Sequence, residues 1–281
     1  MTPRSARQPF GAWLAEARQR NGSALCVGID PDPAALPGHL QGLDGMRSFV
    51  QAIVDATADL VCAFKPNLAF FERFGSDGWR LLESLVAAVP PGIPVIADGK
   101  RGDIGNTSSA YAEALYDRLG AAACTVNPYL GADALEPLLD HPRGFAFVLC
   151  RNSNPGAGAL QDLIVDAEPL YARVIRLFQP WLASERAGLV IGAQEAAAFA
   201  WAARLAPDAL LLVPGVGAQG GTIEHLAAAL VPAQRARVLV SASRTVIHAG
   251  RDADFAGEAR RAALALRDRL RRSLDTLPEE H

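Results

Sequence analysis

An α/β fold in the form of a closed (β/α)8 TIM barrel, preceded by one extra helix, is what this sequence predicts. Three observations lead there: short apolar runs recur eight times along the 281 residues, each ends in polar residues or glycine, and each precedes a helical segment. Eight β-α units in about 250 residues suit a closed barrel, whereas a doubly wound sheet usually needs fewer strands.

The elements follow in order. An amphipathic helix over 10–20 comes first. Strands are predicted over 24–30, 60–67, 94–100, 122–129, 144–153, 189–193, 209–217 and 237–244. Helical stretches between them include 79–89, 108–119, 170–184, 195–205 and 222–230. Charges alternate at helical spacing over 258–272, which reads as the last barrel helix with a solvated face. One domain over 1–281, with the barrel proper over about 24–273, is the economical organisation for a chain that is 50% hydrophobic.

Composition narrows the function. With 27 Lys and Arg against 30 Asp and Glu, the net charge of −3 creates no basic field, which argues against nucleic-acid binding. Cys26, Cys62, Cys124 and Cys150 lie in apolar runs without CxxC spacing and read as buried hydrophobes in a reducing compartment. Residues 1–8 hold no apolar targeting core, and no run approaches the roughly 20 residues of a membrane span, so a cytoplasmic protein is expected. His39, His141, His225, His248 and His281 are scattered and none joins the charged cluster below, so no metal site is predicted.

That cluster is the most informative stretch of the chain. Pro94-Val95-Ile96-Ala97-Asp98-Gly99-Lys100-Arg101-Gly102-Asp103 runs an apolar strand into alternating opposite charges. Side chains alternate faces along a strand, so Asp98 and Lys100 should share one pocket while Gly99 keeps the backbone uncrowded. Asn106-Thr107-Ser108 then reads as a helix start capped by a short polar side chain. Parallel strands put every C-terminal end at one rim, where Asp30, Lys65, Asn67, Asp98, Lys100, Asn127, Ser153, Gly215 and Arg244 should converge. Uncompensated charge there is costly, so mutual pairing is expected. After the seventh strand, Pro214-Gly215-Val216-Gly217-Ala218-Gln219-Gly220-Gly221 supplies glycines that let backbone N–H groups approach an anion. Ser243 and Arg244 close the eighth strand, and together these loops read as a phosphate grip.

Phe64-Lys65-Pro66-Asn67, Asp98-x-Lys100-x-x-Asp103, Arg151-Asn152-Ser153-Asn154-Pro155-Gly156 and the 214–221 loop together resemble motifs of the orotidine 5'-phosphate decarboxylase family, in particular its longer bacterial branch. They occur in the right order over about residues 24–245. The resemblance implies a (β/α)8 barrel, a homodimer with active sites at the subunit interface, and cofactor-free conversion of orotidine 5'-phosphate to UMP and carbon dioxide in pyrimidine biosynthesis. By position, Lys65, Asp98, Lys100 and Asp103 resemble the family's alternating charge tetrad, with Asp103 reaching the partner's site. Asp30 and Thr107 resemble ribose contacts, Thr107 again from across the interface. Ser153 or Asn154 would meet the pyrimidine edge, and Gly217, Gln219, Ser243 and Arg244 would hold the phosphate. The loop over 154–166 departs from shorter members of the family.

The implied chemistry leaves a carbanion at C6 without an adjacent electron sink, so charge must be stabilised where it develops. Lys100 is the expected proton donor. Asp98 would face the departing carboxylate. Two rival readings are a metal-dependent phosphosugar lyase on the same barrel, whose motif would carry a further acidic ligand near Lys65, and a catalytically silent nucleotide-binding barrel.

Overall fold

In the computed structural model, residues 8–216 and 221–275 are described. Eight parallel strands form one sheet: β1 (Leu25–Ile29), β2 (Ala63–Pro66), β3 (Ile96–Arg101), β4 (Ala123–Val126), β5 (Ala146–Arg151), β6 (Ala187–Ile191), β7 (Leu210–Pro214) and β8 (Val238–Ala242). Their order is β2-β1-β8-β7-β6-β5-β4-β3. Bridges between Phe64 and Val95 and between Asn67 and Asp98 join the two ends, so the sheet closes into the expected barrel. All the C-terminal strand ends therefore share one rim.

Period-two alternation divides the apolar residues between two layers. Cys26, Ile96, Phe147, Leu210, Leu212 and Leu239 pack in one cluster with Phe10 and Leu14, whereas Leu25, Val27, Leu211, Val213 and Val240 pack with the surrounding helices. Phe10, Leu14 and Ala17 are the buried residues of α1 (Phe10–Asn21), spaced to lie on one helical face. The Phe10 ring stacks on Phe145 at 4.6 Å and meets Phe147 edge-on at 5.7 Å. The predicted extra helix is thus a plug for the N-terminal end of the barrel, opposite the polar rim.

Several boundaries differ from expectation for local reasons. The strand predicted over 60–67 is only Ala63–Pro66, because Ala58–Leu60 coils into a 3-10 turn. The 122–129 segment likewise leaves the sheet after Val126, where Asn127 accepts a hydrogen bond from the Tyr129 N–H and starts another 3-10 turn. The single helix expected over 170–184 is two, Leu170–Leu177 and Gln179–Ala183, since Pro180 fits a helix start and not an interior. The predicted cap at 106–108 is absent: the helix starts earlier, at Gly105 with φ 52°, and no side chain caps it. Gly42–Thr57 forms a helix that the sequence reading did not single out. The last helix runs Phe255–Asp275, and no helix among the described residues is long and apolar enough to cross a membrane.

Candidate active site

At the rim, one carboxylate is held between two lysines. Asp98 Oδ2 lies 2.6 Å from Lys65 Nζ and Asp98 Oδ1 lies 2.8 Å from Lys100 Nζ. The Lys65 and Asp98 side chains are nearly buried, at 8% and 9% exposed, while that of Lys100 is 46% exposed. Burial alone would push the Lys65 ammonium down, but Asp98 and Asp30 outweigh it and hold its pKa above the ordinary value. Burial would push the Asp98 carboxyl up, yet Lys65 and Lys100 hold it well below the usual carboxylate range. The cluster therefore stays charged.

Asp98 and Lys100 do face one cavity, but not through a regular pleat. The β3–β4 register slips between Ala97 and Arg101, and Lys100 adopts φ 47°, the left-handed region that residues with a Cβ avoid. Thr125 of β4 supports this bulge. Its hydroxyl accepts from the Lys100 N–H at 2.9 Å and donates to Asp98 Oδ1 at 2.8 Å. Gly99 beside it leaves room for Leu68, whose Cδ1 would stand 2.6 Å from a Cβ there and would have to shift. Thr125 was not among the predicted site residues. Its signal was a lone polar residue in the apolar run Ala123-Cys124-Thr125-Val126.

A cavity of about 200 Å³ opens at this cluster, lined by Lys65, Asp98, Lys100 and Thr125 on one side and by Asn152, Ser153, Asn154 and Pro214 on another. The cavity thus brings to the charges Ser153, expected there from its strand-end position, together with Asn154, singled out by the resemblance, and Pro214 of the loop read as a phosphate grip. Asp30 sits just past β1, with its Oδ1 buried and unpartnered among the described residues. Ser243 Oγ, past β8, is likewise buried and unpartnered. Gly28 makes room for it, since a Cβ at that position would meet Ser243 Cβ at 2.7 Å. Arg244 is exposed and forms no ion pair among the described residues. Gly215, at φ 99°, turns the chain after β7 in a conformation that favours glycine. Gly217 and Gln219 lie outside the described residues.

Other predicted residues have different positions. Asn67 bridges to Asp98 through its backbone, but its side-chain oxygen accepts from the Ala69 N–H at 3.2 Å. Asn127 caps the turn after β4 and lines a separate groove of about 760 Å³ beside Tyr129, Leu170 and Tyr171. Asp103 is not ion-paired to Lys100 within this chain; its Oδ1 accepts from the Ile104 N–H at 2.8 Å. Thr107 is exposed in the following helix. Among the histidines, His248 sits in the turn after the short helix that follows β8, where its ring stacks on Phe49 at 5.5 Å with both nitrogens buried. Among the described residues, no three His, Cys, Asp or Glu side chains gather as a metal-binding set.

Comparison with known proteins places this arrangement in a family. Proteins called orotidine 5'-phosphate decarboxylase from Roseiflexus sp. (strain RS-1) and Roseiflexus castenholzii are 48% and 50% identical over 268 residues, covering 94% of this chain and 98% of each of them. The solved structure of Leishmania donovani OMP decarboxylase superposes with a TM-score of 0.84 at 34% identity, covering 96% of this chain and all of that one. With the family profile matching residues 23–259 as well, the chain belongs to the orotidine 5'-phosphate decarboxylase / HUMPS family.

Proposed function

We propose that this protein decarboxylates orotidine 5'-phosphate to UMP and carbon dioxide, without a cofactor, and that Lys100 protonates the product carbanion. The observation that carries the reading is Asp98 clamped between a buried lysine and a half-exposed one at the mouth of a barrel. Curated relatives that bear the decarboxylase name at about half identity over nearly the whole chain support it.

The chemistry follows from charge placement. As the bond from C6 to the carboxylate breaks, its electron pair stays on C6 and carbon dioxide leaves neutral. The Lys100 ammonium, directed into the cavity by the bulge, offsets that developing charge and then transfers its proton to C6. Asp98 is kept ionised by both lysines, so it presents a fixed negative charge beside the departing carboxylate. Lys65 holds Asp98 in place from the buried side.

At the far end of the substrate, Arg244 and Ser243 with the Pro214–Gly215 turn would bind the phosphate, together with Gly217 and Gln219. Binding energy spent there orients the ring that reacts. Asp30 would accept from a ribose hydroxyl, which would satisfy its orphaned buried oxygen. Ser153 or Asn154 would meet the base.

Asp103 and Thr107 would act across a homodimer. Ile104, Tyr129 and Leu130 support that assignment, being 65%, 77% and 51% exposed near Asp103 on the same rim.

The test is the ultraviolet change on adding orotidine 5'-phosphate, with UMP identified as product and a chelator present in parallel. Chelator-insensitive conversion, lost by at least about a thousandfold in Lys100→Ala with UMP affinity kept, is expected from the removal of both proton donor and charge. Conversion that needs a metal, or that survives the substitution, refutes the proposal.

A further inference from the structure

Loop 152–162 leaves the rim after β5 and carries Ser153 and Asn154 to the cavity, and both of its ends are tied to one another. Arg151, the last residue of β5, donates from Nε to Asp162 Oδ1 at 2.8 Å and from Nη2 to Asp162 Oδ2 at 3.0 Å. That two-pronged pairing fixes direction as well as distance, which a lysine cannot do. One residue earlier, Gln161 Oε1 accepts from the Asn152 N–H at 3.0 Å. The segment is therefore a closed loop with adjacent ends, the geometry of an Ω-loop.

The same guanidinium reaches outside the loop. Its Nη1 lies 3.4 Å from Glu195 Oε1, in the loop that follows β6, and also donates to the Asn152 carbonyl. The Arg151 side chain is only 12% exposed, although Asp162 on the other side of the fork is 48% exposed. The two loops touch closely. A Cβ on Gly192 would stand 2.9 Å from Ser153 Cβ, so only glycine lets Ser153 settle there. Inside the loop, Asn152 Nδ2 donates to Asn154 Oδ1, which orients the Asn154 amide from within.

We propose that Arg151 is a positioning residue: by gripping Asp162 and Glu195 it draws the 152–162 loop shut and sets where Ser153 and Asn154 stand over the cavity. This rests on the reading that a nucleotide base enters beside those two residues. On the same reading phosphate and ribose go to other loops, so the grip would act on recognition of the base alone.

Binding of UMP and of ribose 5-phosphate, which lacks the base, measured by calorimetry on the full chain separates that role from a general structural one. Asp162→Asn, at a side chain 48% exposed, and Arg151→Lys both keep size while removing the fork. Each is expected to weaken UMP about tenfold and ribose 5-phosphate less than twofold, with KM for orotidine 5'-phosphate rising alongside. Asp162→Glu should restore most of the UMP affinity. Equal weakening of both ligands, or no weakening of UMP, overturns the proposal. A wild-type protein that binds UMP no better than ribose 5-phosphate would instead refute the nucleotide reading on which it rests.

Discussion

Replacing Asp98 with Asn should turn a stabilising cluster into a destabilising one. The change keeps the side chain's shape and removes its charge, leaving the ammonium of Lys65, 8% exposed, without its nearest counterion. Breaking a buried pair from one side costs roughly 3–5 kcal/mol. Asp30 remains as a second negative charge acting on Lys65, so the lower figure applies. At roughly 2–4 °C per kcal/mol for a chain of this size, about 3 kcal/mol corresponds to a fall in Tm of about 6–12 °C. The pH dependence gives an independent check. In the wild type, Asp98 lies below its unfolded value near 3.9, so its contribution is present above that pH and is lost as pH falls toward the folded pKa. Lys65 lies above its unfolded value near 10.4, so its contribution is complete below that pH and is lost only on rising through the folded pKa. The pair thus contributes evenly from about pH 5 to 9. In the variant, burial prevails and lowers the Lys65 pKa, the unfolded chain binds the extra proton, and stability rises with pH. Thermal unfolding followed by circular dichroism at pH 6, 7.5 and 9 measures both effects. A Tm within about 2 °C of wild type at pH 7.5, or a difference that does not narrow toward pH 9, would refute the reasoning.

Thr125→Val should leave the Lys100 N–H without its acceptor and Asp98 without one donor, lowering stability by about 1–3 kcal/mol and kcat more than affinity, while Thr125→Ser keeps both bonds. Steady-state kinetics on the two variants, with Tm recorded, checks this. Phe10→Ala removes the ring that stacks on Phe145, a loss of roughly 3–5 kcal/mol, yet kcat at 25 °C should stay within about twofold because the plug lies at the opposite end from the site. The thiols give a third check: Cys62, Cys124 and Cys150 are buried, and burial pushes their pKa up to about 12. Cys26 is also fully buried, so a thiol reagent should find no fast-reacting site in the native protein and four in guanidinium chloride.

Much of this was legible in the sequence because it depends on period and on topology. The eight apolar runs set the strands, and parallel topology alone carries Lys65, Asp98, Ser153 and Pro214 to one rim although they are distant in the chain. Residues whose roles depend on local hydrogen bonds were not legible in the same way. Asn67 and Asn127 occupy strand ends as expected, but their side-chain oxygens are taken up by the next turn's N–H groups, a competition that residue type does not decide. The helix after β3 starts at Gly105 and not at the polar triplet, because a left-handed glycine can begin the turn earlier. The Arg151 grip joins residues eleven and forty-four positions away, a pairing that no pattern in the sequence reveals.

The bulge at Lys100 explains how one short strand holds two opposite charges in different surroundings. A left-handed conformation at a residue with a Cβ costs about 1–2 kcal/mol, and the Thr125 hydroxyl offsets it by accepting the displaced N–H and donating to Asp98 in the same stroke. Had β3 kept a regular pleat, its main-chain N–H groups would have gone to the β4 ladder and Lys100 would have had no fixed tie to Asp98 through Thr125. With the bulge, the ammonium reaches Asp98 Oδ1 and still stays 46% exposed to the cavity, while Lys65 takes the other oxygen from the buried side. The two lysines therefore differ in surroundings: both keep the carboxylate ionised, but Lys65 does so from the buried side and Lys100 with its side chain still open to the cavity. If Lys100 is the proton donor, as proposed, this backbone distortion lets its ammonium reach into the cavity while Lys65 and Thr125 keep Asp98 in place.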